Sequence, residues 1–379
     1  MKALPRKLLE WIHRVMPKSD HAVLWGWPDG EDSVIALEQA LQKTRLRRVV
    51  MLMSDPHTKL PWQTGEKTLR LRKNSLAGLL EFIRARYLFF THPCYTRNFP
   101  PEVVSINVWH GMPVKKIGWM IPDDAGIASR HALATSPFWA KILQQAMTPV
   151  CGVLPLGLPR NDRLFADRAA VMEKLGLQTD TRLIAWLPTY RRSVRGLPRT
   201  DGIAAGNAFE MPDLDPAVLD GLLERHGAVL FVKPHPMAAC DSSQSGNRVR
   251  IIDDAWLREK SLSLYEFLGA THCLISDVSS VVIDYLLLDR PVIHAFSDLG
   301  EYQSSRGFTV EPINDYFAGP VATDPHQLLA AIDAVLAGGD PEAGRRRRML
   351  EISHSHRDDG ATCRLLETLG LVRPARDNV

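Results

Sequence analysis

Two successive series of short apolar segments, each alternating with helical patterns, set the strongest limit on how this chain folds. The first series runs from about residue 21 to residue 167, and the second begins near residue 182. Apolar segments separated by helices are typical of a parallel sheet covered by helices. At 379 residues the chain is long enough for two such domains. We therefore expect an α/β protein made of two doubly wound domains with a cleft between them.

The changes in this pattern divide the chain into four predicted regions. These are a basic amphipathic helix at 1–20, an N-terminal domain at 21–170, a C-terminal domain at 171–345 and a helical segment at 346–379. In the first domain, strands are predicted at 22–27, 48–53, 85–91, 104–109, 132–135 and 152–155. In the second domain, strands are predicted at 183–187, 228–232, 249–252, 273–275 and 292–293. Open sheets bind ligands beyond the carboxyl ends of their strands, so residues that follow a strand are candidates for a functional site.

The composition excludes several classes of protein. No apolar run approaches the roughly 20 residues of a membrane-spanning helix, and the N-terminus lacks the apolar centre of a secretory signal. The five cysteines include no C-x-x-C pair, so neither a disulfide framework nor a zinc site is expected. A net charge of only +3 argues against a dedicated nucleic-acid-binding protein. We expect a cytoplasmic protein, bound peripherally to the membrane if its N-terminal helix is interfacial.

The N-terminal segment carries apolar side chains at helical spacing on one side and basic side chains on the other. The apolar positions are Leu4, Leu8, Leu9, Trp11, Ile12, Val15 and Met16. The basic positions are Lys2, Arg6, Lys7, Arg14 and Lys18. A helix with this pattern either lies in the interface of an anionic membrane or packs on the surface of its own domain. The periodicity favours neither interpretation over the other.

The segment from 273 to 294 has the pattern of a strand, a hydroxyl-rich turn, a helix and a second strand. Asp277, Ser279 and Ser280 follow the apolar residues of the first strand. Side chains of these types cap helices, and the free N–H groups at a helix N-terminus attract anions. Pro291 ends the helix before the second strand begins. The turn is therefore either an ordinary helix cap or a phosphate site.

Four other segments place polar or ring-nitrogen groups just after an apolar strand. They are Trp109-His110-Gly111-Met112-Pro113-Val114-Lys115-Lys116, Gly157-Leu158-Pro159-Arg160-Asn161-Asp162, Pro188-Thr189-Tyr190-Arg191 and Lys233-Pro234-His235-Pro236. A single histidine at a strand end is usually structural, but each predicted domain has one beside Lys, Arg and hydroxyl groups suited to phosphate oxygens. This inventory favours transfer of a phosphate-containing group. A G-x-S-x-G elbow, a P-loop and a dinucleotide fingerprint after the first strand are all missing.

Together with the hydroxyl-rich turn, these segments resemble the sequence boxes of the CDP-glycerol glycerophosphotransferases of wall teichoic acid and capsule synthesis. The four segments are similar to that family's W-H-G-T-P-x-K-K, G-x-P-R-N-D, P-T-[FW]-R and K-x-H-P boxes, in the family's order. The turn is similar to its D-x-S-S-x-x-x-D segment, and Gly319-Pro320 stands where these proteins carry a G-P turn. The resemblance covers roughly residues 100 to 330.

The resemblance implies a GT-B architecture, in which two Rossmann-like domains face a central cleft. It implies an enzyme that moves glycerol phosphate from CDP-glycerol to a hydroxyl of a lipid-linked or polysaccharide acceptor and releases CMP. By position, His110 becomes the general base, and His235 becomes a partner of the donor pyrophosphate or the leaving group. The resemblance implies that the donor is bound by Pro188, Thr189, Arg191, Lys233, Asp277, Ser279 and Ser280. Acceptor binding falls to Gly111, Lys115 and Lys116.

Two positions depart from the family's pattern. Met112 stands where a small hydroxyl residue is usual, and no arginine follows His235, where related enzymes often place a cation for the pyrophosphate. The sequence therefore does not decide whether the donor is CDP-glycerol or another CDP-alcohol such as CDP-ribitol. The alternative enzyme is a GT-B glycosyltransferase or epimerase that uses a nucleotide-sugar, and the non-enzymatic alternative is a scaffold that has kept the cleft. No ligand cluster has metal-binding spacing, and no cofactor is firmly implied.

Overall fold

The computed structural model describes residues 6–121, 124, 126–147, 152–189, 207–234, 245–297 and 307–373 of the protein. Its chain divides into two compact units. Unit 1 consists of Met1–Met112, Ile117–Phe165 and His354–Val379, and unit 2 consists of Pro113–Lys116 and Ala166–Ser353. The chain thus returns to unit 1 after residue 353, which divides the helical segment at 346–379 between the two units. The assignment of acceptor and donor roles to the two units stays a prediction.

Unit 1 is built on a parallel sheet that has seven strands within the described residues. Its strands are β1 (Ser19–Trp25), β2 (Arg48–Met53), β3 (Thr68–Arg72), β4 (Ala85–Phe90), β5 (Val104–Asn107), β6 (His131–Leu133) and β7 (Gly152–Leu154). Its first helices are α1 (Arg6–Val15), α2 (Asp32–Leu41), α3 (Leu76–Arg84) and α4 (Pro137–Ala146), with 3-10 turns at Gly118–Met120 and Pro159–Phe165. The strands lie in the order β3-β2-β1-β4-β5-β6-β7, and neighbouring strands are parallel.

Most residues of the inner strands of this sheet are buried, because helices cover both faces of a parallel sheet. In β2, for example, every residue after Arg48 is buried. The edge strand β3 is different, since polar and apolar residues alternate in it and none of them is fully buried. The apolar pattern of the sequence predicts the six other strands of unit 1 but not this one.

Unit 2 is built on a second parallel sheet, with six strands among the residues that the structure describes. Its strands are β8 (Arg182–Leu187), β9 (Ala228–Val232), β10 (Val249–Ile251), β11 (Cys273–Ser276), β12 (Val292–Ala295) and β13 (Val321–Ala322). Its helices are α5 (Arg168–Leu175), α6 (Pro216–Arg225), α7 (Asp254–Glu259), α8 (Leu264–Ala270), α9 (Ser280–Tyr285), α10 (Pro325–Leu336) and α11 (Ala343–Ser353), with 3-10 turns at Leu286–Leu288 and Ile313–Tyr316. The last helix of the chain, α12 (Ala361–Thr368), belongs to unit 1. The strands of unit 2 lie in the order β10-β9-β8-β11-β12-β13.

The two sheets share one strand order. Numbered within each unit, the strands lie 3-2-1-4-5-6, and unit 1 adds a seventh strand at one edge. This is the order of a doubly wound, Rossmann-like sheet, so the predicted α/β fold with two Rossmann-like units is confirmed. The order reverses between β1 and β4 in unit 1 and between β8 and β11 in unit 2. Ligands of such sheets bind beyond the carboxyl ends of the strands at the reversal. The loops that follow these strands are therefore the expected location of a functional site.

Candidate functional site

In unit 1, four ring side chains gather beyond the carboxyl ends of β1, β4 and β5. His92 lies two residues after β4, and Trp109 and His110 follow β5. The rings of His92 and His110 are stacked, with centroids 4.4 Å apart, and the indole of Trp109 lies nearly parallel to His110 at 4.8 Å. Trp27, in the loop after β1, contacts His92 edge-on at 5.5 Å. The loops on both sides of the strand reversal therefore meet at one aromatic cluster.

The backbone at His110 fixes the orientation of its imidazole. Trp109 has a φ of 61°, which few residues other than glycine adopt, and its N–H donates to Asn107 Oδ1 at 2.9 Å. Gly111 follows with a φ of 122°. Nδ1 of His110 lies 3.0 Å from the carbonyl oxygen of Thr91. Because a carbonyl oxygen only accepts, Nδ1 carries the proton and the lone pair is on Nε2.

Both stacked histidines are neutral at physiological pH. Desolvation lowers the pKa of His110 to about 4, against the opposing effect of its hydrogen bond to Thr91 and with a further lowering by Arg160. Burial, His110 and Lys73 together lower the pKa of His92 to about 3. His110 is nevertheless an exposed residue, whereas His92 is only partly exposed. A neutral imidazole that solvent reaches is in the protonation state that a general base requires.

The partly buried Glu31 and the buried Arg160 are two ionisable groups of this region. Glu31 caps α2, because its two carboxylate oxygens accept from the N–H groups of Ser33 and Val34 at 3.1 Å each. Burial raises the pKa of Glu31 to about 7, although these bonds and Arg160 lower it in part. Arg160 is 7% exposed, and its positive charge lowers the pKa of both Glu31 and His110. The segment Gly157 to Asp162 thus brings a buried cation close to the predicted base.

Asp162, the last residue of that segment, holds the C-terminal helix on unit 1. Its two carboxylate oxygens accept from the N–H groups of Ala361 and Thr362, each at 2.9 Å. Burial raises the pKa of Asp162 to about 6. The segment Gly157 to Asp162 therefore contributes in two ways. Arg160 places a positive charge near His110, and Asp162 fixes the C-terminal helix.

Met112 and the two lysines of the same box have different surroundings. Met112 is fully buried, so the residue that departs from the family's pattern contributes to the packing of unit 1. Lys115 and Lys116 belong to unit 2, where Lys115 pairs with Phe308 in a short antiparallel bridge. The residues predicted to bind the acceptor are thus divided, with Gly111 in unit 1 and both lysines in unit 2.

In unit 2, Asp277 joins two loops at the strand reversal. Asp277 directly follows β11, and Thr189 lies two residues after β8. One carboxylate oxygen of Asp277 accepts from the N–H of Thr189 at 3.1 Å and from its hydroxyl at 2.6 Å. The hydroxyl of Ser276, the last residue of β11, donates to the carbonyl oxygen of Leu187 at 2.7 Å. The structure therefore brings together two of the predicted donor-binding residues, and Pro188 precedes Thr189 in the same loop.

His294 and Tyr316 brace the backbone of this turn. Nε2 of His294 accepts from the N–H of Ala318 at 3.0 Å, so Nδ1 carries the proton and donates to the carbonyl oxygen of Asp277 at 3.4 Å. The hydroxyl of Tyr316 donates to the carbonyl oxygen of Ser279 at 2.7 Å. Desolvation lowers the pKa of the fully buried His294 to about 4, so its imidazole is neutral. The turn is held at two carbonyl oxygens by buried side chains.

Ser279, Ser280 and Lys233 have contacts that agree with structural roles. The hydroxyl of Ser279 accepts from the N–H of Val281 at 3.5 Å, and both serines are partly exposed at the start of α9. Lys233 is 5% exposed and pairs with Asp254 at 2.9 Å. The capping role of Ser279 is thus present, and a role of these three residues toward the donor stays a prediction.

Two of the predicted site residues, His235 and Arg191, lie outside the described residues. Pro234 is the last described residue before His235, and Thr189 is the last before Arg191. Among the residues that are described, no three or more His, Cys, Asp or Glu side chains are grouped so that they could hold a metal ion.

Sequence reasoning missed His92, Glu31, His294 and Tyr316. His92 and His294 each stand at the end of a predicted strand, which is the feature that identifies His110 as a candidate. The same criterion, applied to every strand end, would have identified both. Glu31 precedes a predicted helix and looks like one more cap. Tyr316 lies in the 3-10 turn at Ile313–Tyr316, where no pattern of the sequence connects it to the turn at Ser279.

Comparison with known proteins supports the resemblance read from the sequence. A family model described as CDP-glycerol:poly(glycerophosphate) glycerophosphotransferase matches residues 9–370. The teichoic acid ribitol-phosphate polymerase TarK of Staphylococcus aureus is 27% identical over 274 residues, which cover 66% of this chain and 50% of that protein. The teichoic acid glycerol-phosphate transferase of the same organism is 24% identical over 259 residues, which cover 62% of this chain and 63% of that protein. The chain therefore spans about half to two thirds of the length of these relatives.

Solved structures show the same fold. The wall teichoic acid polymerase TagF superposes with a TM-score of 0.75 at 20% identity, over 96% of this chain and 92% of that chain. The MnaA–UDP complex of S. aureus superposes with a TM-score of 0.55 at 13% identity, over 94% of this chain and 98% of that chain. These likenesses confirm the predicted GT-B fold class. Because the family model spans nearly the whole sequence, the chain belongs to the CDP-glycerol:poly(glycerophosphate) glycerophosphotransferase family.

Proposed function

We propose that this protein is a transferase that moves glycerol phosphate from CDP-glycerol to a hydroxyl of a lipid-linked or polysaccharide acceptor, in teichoic-acid-like or capsule polymer synthesis. The observation that carries the proposal is the neutral imidazole of His110, oriented by Thr91, in a chain of this family. Its position beyond the carboxyl end of β5 agrees with the usual location of active sites in doubly wound sheets.

The reaction is a substitution at the phosphorus that carries the glycerol. The acceptor hydroxyl attacks this phosphorus, the bond to the bridging oxygen breaks, and CMP leaves with that oxygen. Nε2 of His110 takes the proton of the attacking hydroxyl, since Nδ1 is already protonated and bonded to Thr91. The negative charge of a bound donor raises the pKa of a nearby imidazole, which makes His110 a stronger base in the complex than in the free protein.

The turn at Asp277 is the proposed donor site. The bonds from Thr189 to Asp277 connect the loops after β8 and β11, and His294 and Tyr316 fix the backbone between Asp277 and Ser279. Partly exposed hydroxyl groups on a turn held in this way are suited to phosphate oxygens, because no reorganisation is needed when the donor binds. In this assignment Arg191, Lys233 and His235 neutralise the pyrophosphate, and Lys115 and Lys116 attract an anionic acceptor.

A CDP-ribitol-dependent polyol-phosphate transferase is the second candidate. Its support is the ribitol-phosphate polymerase TarK of S. aureus among the relatives, beside the glycerol-phosphate transferase. Both donors present the same pyrophosphate to the turn at Asp277 and differ only in the polyol. The length of the polyol is therefore what a specificity experiment has to test.

We place the reaction at the cytoplasmic face of the cell membrane. The described residues contain no helix with the length and apolar character of a membrane span. Helix α1 keeps three large apolar side chains exposed, which supports peripheral binding to an anionic membrane surface as the means of reaching a lipid-linked acceptor.

The test is a panel of donors with substitutions of the two predicted histidines. Wild-type protein should release CMP from CDP-glycerol or CDP-ribitol in the presence of a polyol-phosphate acceptor, and mass spectrometry should show the lengthened product. His110→Ala should reduce CMP release at least about 100-fold, in line with the usual contribution of a general base. His235→Ala should also reduce CMP release, because it removes a proposed partner of the donor pyrophosphate. The exposed His57 gives the matched control, since His57→Ala should retain full activity. Full activity of both site variants, or turnover of nucleotide-sugars alone, would contradict the proposal.

A further inference from the structure

The rim of unit 1 beyond the carboxyl ends of its strands is rich in tryptophan. Four of the nine tryptophans of the chain lie there. They are Trp25 at the end of β1, Trp27 in the loop that follows, Trp62 in the loop after β2, and Trp109 after β5. Trp62 covers the loop after β1, because a Cβ atom at Gly30 would lie 3.4 Å from its ring. Aromatic side chains gathered around a catalytic group commonly line a binding site.

Trp27 belongs to the same aromatic cluster as His110 and is still reached by solvent. Its indole is partly exposed, whereas that of Trp109 is only 5% exposed. It contacts His92 at 5.5 Å, and His92 stacks on His110 at 4.4 Å, so Trp27 lies within the length of a disaccharide from the proposed base. The backbone N–H of Trp27 donates to the hydroxyl of Thr91 at 3.3 Å. The residue that orients His110 therefore also holds Trp27.

The ring nitrogen of Trp27 is available to a ligand. Among the described residues none accepts a hydrogen bond from its Nε1, and this atom is not one of the buried polar atoms that lack a partner. Nε1 of Trp62, by comparison, donates to Glu38 at 3.0 Å. Packing of the loop explains the edge contact of Trp27 with His92, but it does not explain a ring N–H that faces solvent. An indole in this position suits a ligand that has both an apolar face and polar groups.

The cations whose charge reaches the two stacked histidines each have a carboxylate close by. They are Lys73 and Arg160. Lys73 pairs with Asp29 at 3.3 Å, and both side chains are nearly buried. Arg160 is 7% exposed, and its charge stabilises the carboxylate form of Glu31. A phosphate group binds to cationic N–H donors that it can reach, whereas this rim offers rings and compensated charges.

We propose that the acceptor presents a sugar ring to unit 1 and that this ring stacks on Trp27, so that the polyol phosphate is added to a hydroxyl of a glycan. The inference rests on the proposed function, since it names the acceptor of the same reaction. A pyranose has C–H bonds on its faces and hydroxyl groups around its edge, which match an indole face with an N–H at its margin.

The reaction with a sugar acceptor balances without a further reactant. The sugar hydroxyl gives its proton to Nε2 of His110 while its oxygen forms the new bond to phosphorus. The bond from phosphorus to the bridging oxygen breaks, and CMP leaves with that oxygen. The product is a phosphodiester that joins the sugar to the polyol.

An acceptor unit that ends in polyol phosphate fits this rim less well. An open-chain polyol has no ring face for the indole of Trp27 to cover, and its phosphate would compete with Asp29 and Glu31 for the two cations. Lys115 and Lys116 of unit 2 are partly exposed. They remain for an anionic group elsewhere in the acceptor, such as the pyrophosphate of a lipid-linked glycan.

Binding of sugars without turnover gives the first test. The probes are disaccharides of glucose, galactose and N-acetylglucosamine, and the measurement is saturation-transfer NMR on the full chain. Wild-type protein should bind at least one of them, and Trp27→Ala should weaken that binding about tenfold, the upper range for one aromatic contact. Trp27→Phe keeps a ring and should lose less. Trp119→Ala removes an indole of unit 1 that is 47% exposed outside the aromatic cluster and should bind as the wild type does.

Kinetics with two kinds of acceptor gives the second test. With CDP-glycerol or CDP-ribitol as donor, kcat/KM should be at least about tenfold higher for the disaccharide that binds than for an oligomer of glycerol phosphate. Trp27→Ala should raise KM for the disaccharide about tenfold and leave KM for the donor unchanged. If Trp27 only holds His92 in place, the variant will instead lower kcat equally with both acceptors, and that result would overturn the inference.

The two tests separate this inference from the proposed function. Sugar binding that depends on Trp27, without CMP release from any CDP-alcohol, would keep the sugar site and contradict the proposed function. CMP release with glycerol phosphate oligomers, without binding of any of the sugars, would overturn the sugar site and keep the proposed function. If circular dichroism shows that Trp27→Ala does not fold, Trp27→Phe and the acceptor preference of the wild type decide the question.

Discussion

The imidazole of His92 lies against that of His110 with centroids 4.4 Å apart and an angle of 14° between the ring planes. Thr91 contacts both rings, since its carbonyl oxygen accepts from Nδ1 of His110 at 3.0 Å and its hydroxyl lies 2.8 Å from Nδ1 of His92. One residue at the end of β4 therefore sets the orientation of two imidazoles. We infer that His92 positions His110 and shields one side of its ring from water.

Removal of the His92 ring should therefore impair the proposed base without removing it. In His92→Ala, the ring of His110 loses its stacking partner and gains contact with water, so we expect kcat for CMP release to fall about tenfold. The greater hydration should also raise the pKa of His110 from about 4 toward its ordinary value of 6.5, since desolvation is the main cause of its lowering. The measurement is the pH dependence of kcat/KM in wild type and variant.

His92→Phe is the control that separates stacking from hydrogen bonding. Phenylalanine keeps an aromatic ring against His110 and cannot bond to Thr91, so we expect a pH dependence close to that of the wild type and a smaller loss of kcat. A purely structural role of His92 predicts that both variants lose stability while the pH dependence of the remaining activity stays the same. That result would contradict the positioning role.

The acidic limb of the wild-type profile provides a separate prediction. A general base works only when it is deprotonated, so kcat/KM should fall as the pH is lowered through the pKa of His110. With that pKa at about 4, the rate should be nearly constant from pH 8 to pH 6 and should fall only below about pH 5. Activity should return after neutralisation if the loss is protonation and not unfolding. A midpoint near 6.5 in the free enzyme would show that the pKa of His110 is not lowered to about 4, and would agree with the exposure of this residue to solvent.

The strand pattern of the sequence predicts most of this fold because parallel strands that are covered on both faces are continuous apolar runs. It fails at β3 and β13, for different physical reasons. Strand β3 is an edge strand in which polar and apolar residues alternate and none is fully buried, and β13 has only two residues, Val321 and Ala322. Neither forms an apolar run, so the pairing of each with its neighbour is decided by tertiary contacts.

The candidate site was only partly predictable for a similar reason. His110 and Asp277 are found because each directly ends a strand pattern, and a strand end fixes where a side chain lies in an open sheet. The connection of Thr189 to Asp277 spans 88 positions of the sequence, and the connection of Tyr316 to Ser279 spans 37. Contacts over such separations follow from strand order, which the apolar pattern does not contain.

The bond from Thr189 to Asp277 gives a prediction for the donor site. Thr189→Val keeps the shape of the side chain and removes the hydroxyl that donates to Asp277 at 2.6 Å. A hydrogen bond to a charged group contributes about 1.5–3 kcal/mol, so the turn should loosen and KM for the CDP-alcohol should rise at least about tenfold. Thr189→Ser retains the hydroxyl and should keep a KM close to that of the wild type. Steady-state kinetics with varied donor concentration distinguishes the two variants. Equal KM values for both would show that this hydrogen bond does not contribute to donor binding.

The buried His13 of α1 gives a prediction about stability and pH. Its ring is fully buried against Phe82 and Phe99, and desolvation, with a further contribution from Lys18, lowers its pKa from 6.5 to about 4. Between these two values the unfolded chain binds a proton that the folded chain does not, so the free energy of unfolding falls as the pH is lowered from 6.5 toward 4. Between pH 7 and pH 5 this one group should remove about 2 kcal/mol of stability.

His13→Leu tests this by keeping an apolar side chain of similar size and removing the titration. The variant should lose about 2 kcal/mol less stability than the wild type between pH 7 and pH 5, as measured by urea unfolding at the two values. Lys18 is present in both proteins, so its charge does not enter the comparison. His57→Leu, at an exposed position, should follow the wild type at both pH values. Identical pH dependence of the wild type and His13→Leu would mean that the His13 ring reaches water and that α1 is not packed on unit 1 as tightly as its buried face indicates.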